Sequence, residues 1–360
     1  MKAKLQHCTG RYVSLVLSGC CTPIQGQISS VDEGTIVFIS AEGTSVISIC
    51  NIVLFTSVLF AYVTSRGTNS VSIINTSTNT AFATPIPVGR DPRGIAITPD
   101  GTRAYVANFL DGNVSVINTL TNTVIAAPIP VGSAPEGIAI TPDGTRAYVA
   151  NFVDGNVSVI NILTNTVIGA PIPVGTNPRN IAITPDGTRA YVTNFNGGNV
   201  SVINTLTNTV IGAPILVGSN PRDIAVTPDG TRAYVTNNSD GNVSVIDTLT
   251  NTVIGAPIPV GSSPDSIAIT PDGTRAYVTN GGSDSMSVIN TLTNTVIGAP
   301  IPVPPAPLTL AITPDATRVY VSSTAIDSVS AFSTITNTII GGPILVGSEP
   351  FDIAITPSCI

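Results

Sequence analysis

The chain has 360 residues and a formal net charge of −7, with 42% hydrophobic and only 10% charged residues. Intrinsically disordered chains have the opposite balance, low hydrophobicity and high charge, so that class is excluded. Nucleic-acid binders need a basic surface, which 14 Lys and Arg against 21 Asp and Glu do not provide.

Residues 1–58 form a non-repeating segment. Basic residues precede the apolar run Tyr12–Leu17, and Leu-Ser-Gly-Cys at 17–20 resembles a lipoprotein signal box. This run is shorter than the 7–15 residues of a signal core. A second apolar run, Val46–Phe60, is short for a membrane span of about 20 residues. The segment predicts an export signal or anchor, with additional β-structure or a disordered leader as alternatives.

A 43-residue repeat occupies the rest of the chain. The string Thr-Pro-Asp-Gly-Thr-Arg-Ala-Tyr-Val begins at Thr98 and recurs every 43 residues. Repeats of this length are typical of propellers, arrays and solenoids. Seven tyrosines keep the period: Tyr62, Tyr105, Tyr148, Tyr191, Tyr234, Tyr277 and Tyr320. Seven prolines do the same: Pro92, Pro135, Pro178, Pro221, Pro264, Pro307 and Pro350.

Each repeat contains four short β-patterns separated by turn signals. In the copy that starts at Gly94, strand A is Gly94–Thr98, strand B is Arg103–Asn108 and strand C is Val114–Asn118. Strand D, Val124–Val131, contains two prolines and is therefore expected at a sheet edge. Four antiparallel strands per repeat predict a seven-bladed, all-β propeller over residues 59–360. A parallel solenoid is the alternative, but no repeat resembles a cap.

The two ends of the repeat region complement each other. Strand B of the first repeat, Ala61–Thr64, has no good strand A before it. The last strand A, Phe351–Thr356, has no strand B after it. We therefore expect the C-terminal strand to complete the first blade, which removes an open sheet edge.

The repeats resemble the YVTN family of β-propeller repeats. The motif is complete at Tyr191–Asn194, Tyr234–Asn237 and Tyr277–Asn280, and the other four copies depart from it. The resemblance covers about 300 residues. It implies a surface-layer or exported protein, although one fold of this kind supports many activities.

Few residues suited to catalysis fall within the repeats. The only histidine, His7, lies outside them, which removes Ser-His-Asp and Cys-His catalysis and His-ligated haem or copper from the ring. The five cysteines form neither a disulfide framework nor a zinc pattern. Each Asp-Gly turn offers one carboxylate, whereas calcium needs six to eight oxygens. No catalytic residue, cofactor or metal site is expected.

One face of the disc departs from the repeat. The A–B and C–D turns scarcely vary, and the repeated turn Asp and following Arg are interpreted as turn chemistry and a solvated ion pair. The D–A and B–C connections on the other face do vary, so a specific ligand should bind there. The candidate ligand-binding residues are Arg93, Glu136, Arg179, Arg222, Asp265, Phe109, Phe152 and Phe195.

These features favour a non-catalytic, exported or cell-surface scaffold that binds a protein, peptide or glycan. An extracytoplasmic location follows, with envelope association through residues 1–58. Two alternatives remain: an enzyme that uses carboxylates or Arg at the channel mouth, and a structural surface-layer component.

Overall fold

The computed structural model describes residues 12–17, 24–32, 35–40, 43–48 and 52–358. Seven small antiparallel sheets follow one another around a ring; six of them are each one continuous 43-residue repeat, and the seventh combines strands from both ends of the repeat region. Outside the strands, the described residues contain one short 3₁₀ helix, Phe195–Gly197. The prediction of a seven-bladed propeller with four strands per blade is confirmed.

Strands A, B and C are six residues long in every blade. Strand A spans Pro92–Ile97, Pro135–Ile140, Pro178–Ile183, Pro221–Val226, Pro264–Ile269 and Pro307–Ile312 in blades 2 to 7. Strand B spans Phe60–Ser65, Arg103–Asn108, Arg146–Asn151, Arg189–Asn194, Arg232–Asn237, Arg275–Asn280 and Arg318–Ser323 in blades 1 to 7. Strand C spans Ser70–Asn75, Asn113–Asn118, Asn156–Asn161, Asn199–Asn204, Asn242–Asp247, Ser285–Asn290 and Ser328–Ser333.

Strand D is broken in six of the seven blades. It pairs with strand C through two two-residue segments, such as Thr123–Val124 and Ile129–Pro130 in blade 2. The corresponding segments are Thr80–Ala81 and Ile86–Pro87, Thr166–Val167 and Ile172–Pro173, Thr209–Val210 and Ile215–Leu216, Thr252–Val253 and Ile258–Pro259, and Thr295–Val296 and Ile301–Pro302. Blade 7 has one strand, Ile339–Leu345. The edge position of strand D is as expected from its prolines.

The C-terminal strand closes the ring. Pro350–Ile355 pairs antiparallel with Phe60–Ser65, and Ala354 lies opposite Tyr62. Blade 1 is therefore built from both ends of the repeat region, as the unmatched strands predicted. This pairing leaves the inner edge of strand B covered, as it is in every other blade.

The core lies between neighbouring blades. In each repeat the tyrosine of strand B is fully buried against the strands of the next blade, together with Val, Ile and Ala side chains. Its hydroxyl also crosses the interface: Tyr105 donates to Oδ1 of Asn165 at 2.6 Å. Asn165 lies in a C–D turn at a φ of 55°, a conformation that Asn tolerates well. The high hydrophobicity of the chain thus reflects blades that are covered on both sides.

The described N-terminal residues form a separate five-stranded antiparallel sheet. Its spatial order is Gly43–Ser48, Thr35–Ser40, Ile24–Asp32, Tyr12–Leu17 and Ile52–Ser57. This arrangement corresponds to the alternative of additional β-structure. No helix among the described residues is long and apolar enough to cross a bilayer. The signal or anchor role of residues 1–58 stays a prediction, and His7 and all five cysteines lie outside the described residues.

Candidate active site at the channel mouth

A β-bulge in strand A aims side chains into the central channel. In blade 5, Pro221 pairs with Asn237 and Ile224 with Val235, so Arg222 and Asp223 together face one residue of strand B. That residue is Thr236, whose Oγ1 accepts a hydrogen bond from the Asp223 amide at 2.9 Å. Bulges commonly re-aim side chains near functional sites. The same shift occurs in every blade.

The bulge creates two rings of side chains. The mouth ring consists of the residues directly after the prolines: Arg93, Glu136, Arg179, Arg222, Asp265, Leu308 and Phe351. The inner ring consists of the next residues: Gly94, Gly137, Asn180, Asp223, Ser266, Thr309 and Asp352. All seven residues of the inner ring line one narrow cavity of about 70 Å³ in the channel. A wider cavity of about 550 Å³ lies at the mouth and shares Arg179, Arg222, Leu308 and Phe351 with it.

Ion pairs connect the charged residues of the mouth ring. The Glu136 carboxylate lies 3.2 Å from Arg93 and 3.0 Å from Arg179, and its side chain is only 3% exposed. Arg222 pairs with Asp265. Burial, together with the nearby Arg179 charge, lowers the pKa of Arg222 to about 9, which still leaves the guanidinium charged at neutral pH. The mouth is therefore a charge-balanced rim rather than a cationic funnel.

Aromatic rings of the B–C loops lie beside this rim. The Arg93 guanidinium lies 3.3 Å from the centroid of the Phe109 ring, and Arg179 lies 5.2 Å from that of Phe195. The rings of Phe109 and Phe152 are 6.4 Å apart. Stacking on a ring is favourable for a guanidinium. The eight predicted binding residues thus lie on one face, around one mouth, and their ligand-binding role stays a proposal.

The inner ring contains two carboxylates that the sequence analysis did not single out. Asp223 accepts four hydrogen bonds: from Asn180, from Ser266 at 2.7 Å, and from the amides of Ile224 and Ile267 at 2.7 and 2.9 Å. A carboxylate has about four acceptor sites, so Asp223 is saturated. This pattern indicates a structural role, fixing blade 5 to both neighbouring blades.

Asp352 differs from Asp223 in its hydrogen bonding. Its Oδ1 accepts from Thr309 at 3.1 Å and from the Ile353 amide at 2.8 Å. Its Oδ2 accepts a single hydrogen bond, from the Ile95 amide at 3.0 Å, among the groups that the structure describes. One acceptor site on Oδ2 therefore remains for a water or substrate in the channel.

Asp352 lies in the channel wall and is partly buried by the surrounding protein. Its remaining exposed surface lines the channel cavity. Desolvation raises the pKa of Asp352 to about 6, and the charge of Asp223 acts in the same direction. Desolvation also raises the pKa of Asp223. A carboxylate with a pKa close to neutrality is suited to general base catalysis.

The inner-ring residues lie one position after the predicted binding residues of strand A, so their variation between repeats is visible in the sequence. The prediction took the residue directly after each proline because it varies in charge. The following residue varies as much, but its inward direction depends on the bulge, which the alternation of a regular strand does not reveal. Asp352 and Asp223 were therefore missed.

The repeated turns on the opposite face have structural roles. In the A–B turn, Asp143 accepts hydrogen bonds from the Thr141 hydroxyl at 2.5 Å and the Thr145 amide at 3.0 Å, as expected for turn chemistry. Hydrogen bonds from Thr141 and Thr145 lower the pKa of Asp143, and the charge of Arg146 acts in the same direction, as expected for a solvated pair. Arg146 also donates to the Thr205 carbonyl of the next blade at 2.5 Å, since the C–D turn of that blade lies within reach. No group of three or more His, Cys, Asp or Glu among the described residues is arranged to hold a metal.

The fold and this site define a seven-bladed propeller with a carboxylate-containing channel. The chain matches the family described as lactonase, seven-bladed β-propeller, over residues 60–210 and 206–339, and it belongs to that family. A search of curated proteins gave no match.

Solved structures show the same fold at low sequence identity. A protein of unknown function from Desulfotomaculum acetoxidans is 22% identical with a TM-score of 0.72, covering 83% of this chain and 99% of that one. A protein assigned provisionally as a 6-phosphogluconolactonase, from Bacteroides uniformis, is 17% identical with a TM-score of 0.69. The match covers 82% of this chain and 99% of that one. Hydrazine synthase of Kuenenia stuttgartiensis is 23% identical with a TM-score of 0.68. The match covers 78% of this chain and 92% of that one.

The family match overturns two predictions. The prediction of a non-catalytic binding scaffold, with a surface-layer component as one alternative, is wrong, as is the prediction that the chain is not an enzyme. The family match instead favours the alternative of an enzyme. The error has a physical origin. The prediction rested on the absence of His, Cys and cofactor motifs from the repeats, whereas ester hydrolysis needs only a general base and donors for an oxyanion.

Proposed function

We propose that this protein is a hydrolase that opens a cyclic ester at the mouth of its channel. The observation that supports this most directly is Asp352, a lumen-lining carboxylate with an unused acceptor site and a raised pKa. It shares its cavity with Arg179 and Arg222. Membership in the lactonase family supports the same reaction class.

The reaction needs a base and an electrostatic site, and the two rings provide both. Asp352 takes a proton from a water molecule as the water oxygen bonds to the lactone carbonyl carbon. The guanidinium groups of Arg179 and Arg222 stabilise the negative charge that develops on the carbonyl oxygen. The ring C–O bond then breaks, and the leaving oxygen takes the proton from Asp352. The product is the open hydroxy acid, and Asp352 returns to its ionised state.

The test is hydrolysis of a lactone panel, measured as acid release in a pH-stat. The panel contains gluconolactone, 6-phosphogluconolactone and γ-lactones. Asp352→Asn should lower kcat by at least a hundredfold, in line with loss of a general base. Asp223→Asn is the matched control, since it makes the same change at the saturated carboxylate of the same ring. Its kcat should fall far less.

The pH profile provides a second criterion. Activity of the unmodified protein should rise with pH through an apparent pKa near 6, because the ionised form of Asp352 is the base. The proposal is wrong if no lactone is hydrolysed, or if Asp352→Asn retains full activity.

Two further proposals rest on the sequence alone. We propose that the repeats belong to the YVTN type and that the protein is extracytoplasmic, with envelope association through residues 1–58. Cell fractionation of a strain expressing the tagged full chain tests the location. Recovery of the protein in the cytosolic fraction alone would contradict it.

A further inference from the structure

One sector of the channel mouth is apolar. Blades 2 and 3 carry Phe109–Leu110 and Phe152–Val153 at the tips of adjacent B–C loops. Leu110 is 60% exposed and Val153 is 65% exposed. The other five blades carry at most one large apolar side chain at these positions: Arg66–Gly67, Phe195–Asn196, Asn238–Ser239, Gly281–Gly282 and Thr324–Ala325. The apolar sector is thus a local departure from the ring.

The apolar sector is also held in place. The Phe109 amide donates to the Asp91 carbonyl at 3.0 Å, and the Phe152 amide makes the equivalent bond to Ala134 at 3.0 Å. The next residue of each loop is fixed in the same way. The Leu110 amide donates to the Arg90 carbonyl, and the Val153 amide donates to the Ser133 carbonyl, each at 3.3 Å. The patch is therefore formed before a ligand arrives, which reduces the entropic cost of binding.

The patch is continuous with the proposed reaction site. Phe109 packs under the guanidinium of Arg93, and Arg93 lines the wider cavity at the mouth. Gly94, the inner-ring residue of blade 2, directly follows Arg93. The amide of the next residue, Ile95, donates a hydrogen bond to Asp352. A molecule with its polar ring beside Asp352 can therefore extend over Arg93 towards Leu110 and Val153.

The charges of the mouth favour a neutral substrate. Glu136 neutralises Arg93 and Arg179 in part, and Asp265 pairs with Arg222. Asp223 and Asp352 add further negative charge deeper in the channel. A dianionic phosphate ester would gain little from such a balanced rim, since each guanidinium already has a carboxylate partner.

We propose that Phe109, Leu110, Phe152 and Val153 bind the apolar substituent of an uncharged alkyl lactone whose ring lies beside Asp352. This inference rests on the proposed function, because it names the substrate class of the same site. The alkyl chain would bury apolar surface against the patch, and the lactone ring would lie where the two cavities meet, beside Arg179 and Arg222.

The first experiment measures binding without catalysis. The probes are 5-alkyl-2-pyrrolidinones, stable lactam counterparts of γ-lactones, with side chains of two, four and six carbons. Calorimetry on the full chain should show affinity rising about two- to fourfold per added methylene, with a negative heat-capacity change. An affinity independent of chain length would overturn the inference, whether or not any lactone is hydrolysed.

A double variant locates the subsite. Leu110→Ser combined with Val153→Ser should flatten the dependence on chain length, both for the lactams and for kcat/KM with γ-lactones. Leu163→Ser combined with Leu206→Ser is the matched control. These leucines are 86% and 83% exposed on the C–D turns of the opposite face, and their replacement should leave the dependence intact.

The outcomes separate the two proposals. Chain-length-dependent binding without hydrolysis would support the subsite and contradict the hydrolase. Hydrolysis without any chain-length dependence, or with a strong preference for 6-phosphogluconolactone, would support the hydrolase and overturn the subsite. An equal loss of chain-length dependence in both double variants would also overturn it.

Discussion

Tyr320 of the last blade donates a hydrogen bond to Oδ1 of Asn79 in the first blade at 2.6 Å, across 241 residues of sequence. The same bond joins Tyr105 to Asn165 between blades 2 and 3, also at 2.6 Å. The interface that closes the ring is therefore built like the interfaces between consecutive blades. The tyrosine of each repeat is a contact between blades rather than part of a ligand site.

Removing one of these hydroxyl groups should destabilise the ring. Tyr191→Phe deletes a 2.6 Å bond from the hydroxyl of the buried Tyr191 to the partly buried Asn251. It should lower the free energy of unfolding by about 1 kcal/mol, since the Asn251 amide oxygen loses its donor. Tyr277→Phe is the matched control, because its bond to Asn337 is longer, at 3.3 Å. Urea unfolding should show a smaller loss for Tyr277→Phe, and a loss of equal size would contradict this ranking.

Deleting residues 351–360 should destabilise the whole ring. This truncation removes most of the strand that pairs with Phe60–Ser65 and leaves the inner edge of blade 1 open. We expect a lower melting temperature and a tendency to associate through the open edge, measured by calorimetry and size-exclusion chromatography. Deleting residues 357–360 alone keeps the paired strand and should change the melting temperature little. Identical melting of both truncated forms would refute the closure.

The A–B turn should be sensitive to side chains that disfavour positive φ. Gly187 has a φ of 71°, in the left-handed region. Gly187→Val should lower the free energy of unfolding by about 1 kcal/mol or more. Gly187→Asn should cost less, because Asn tolerates this region. Lactone hydrolysis should be unchanged in both folded variants, since the turn lies on the face opposite the channel mouth. Selective loss of hydrolysis at unchanged stability would assign this face a functional role.

The fold could be predicted because its signal is repeated. Seven tyrosines and seven prolines at one period fix the number of blades, and the unmatched strands at the two ends fix the closure. The break in strand D was not predicted, since Val124–Val131 has a continuous apolar pattern. The chain turns at Ala126, which has a φ of 65°, and then rejoins strand C at Ile129.

The candidate site could be predicted only in part. Arg93, Arg179 and Arg222 were identified because they break the repeat at charged positions, and the structure places them together at the mouth. The ion pairs with Glu136 and Asp265 depend on how neighbouring blades meet, which the sequence does not specify. The threonine of the string Tyr234–Asn237 also acquires its role only in three dimensions: the Thr236 hydroxyl accepts a hydrogen bond from the amide of the bulged residue Asp223.

The pH dependence of stability should distinguish the channel carboxylate from those of the turns. In the folded protein the pKa of Asp352 is raised from its ordinary 3.8 to about 6 by desolvation. Below pH 4 the carboxyl is protonated in both states and contributes nothing. Between pH 4 and 6 the unfolded chain ionises first, so the native state loses stability as the pH rises. Above pH 6 the loss is constant, at about 3 kcal/mol.

Asp352→Asn cannot ionise and should escape this loss. The free energy of unfolding of the variant minus that of the unmodified protein should therefore increase by up to about 3 kcal/mol from pH 4 to pH 7. Asp143→Asn should show the opposite sign. Hydrogen bonds from Thr141 and Thr145 lower the pKa of Asp143, so its stabilising effect is present above its ordinary pKa and is lost in acid. Denaturant titrations at several pH values measure both differences, in which ionisable groups that do not interact with the replaced carboxyl cancel. A flat difference for Asp352→Asn would show that this carboxyl titrates normally, and it would remove the main electrostatic support for Asp352 as the base.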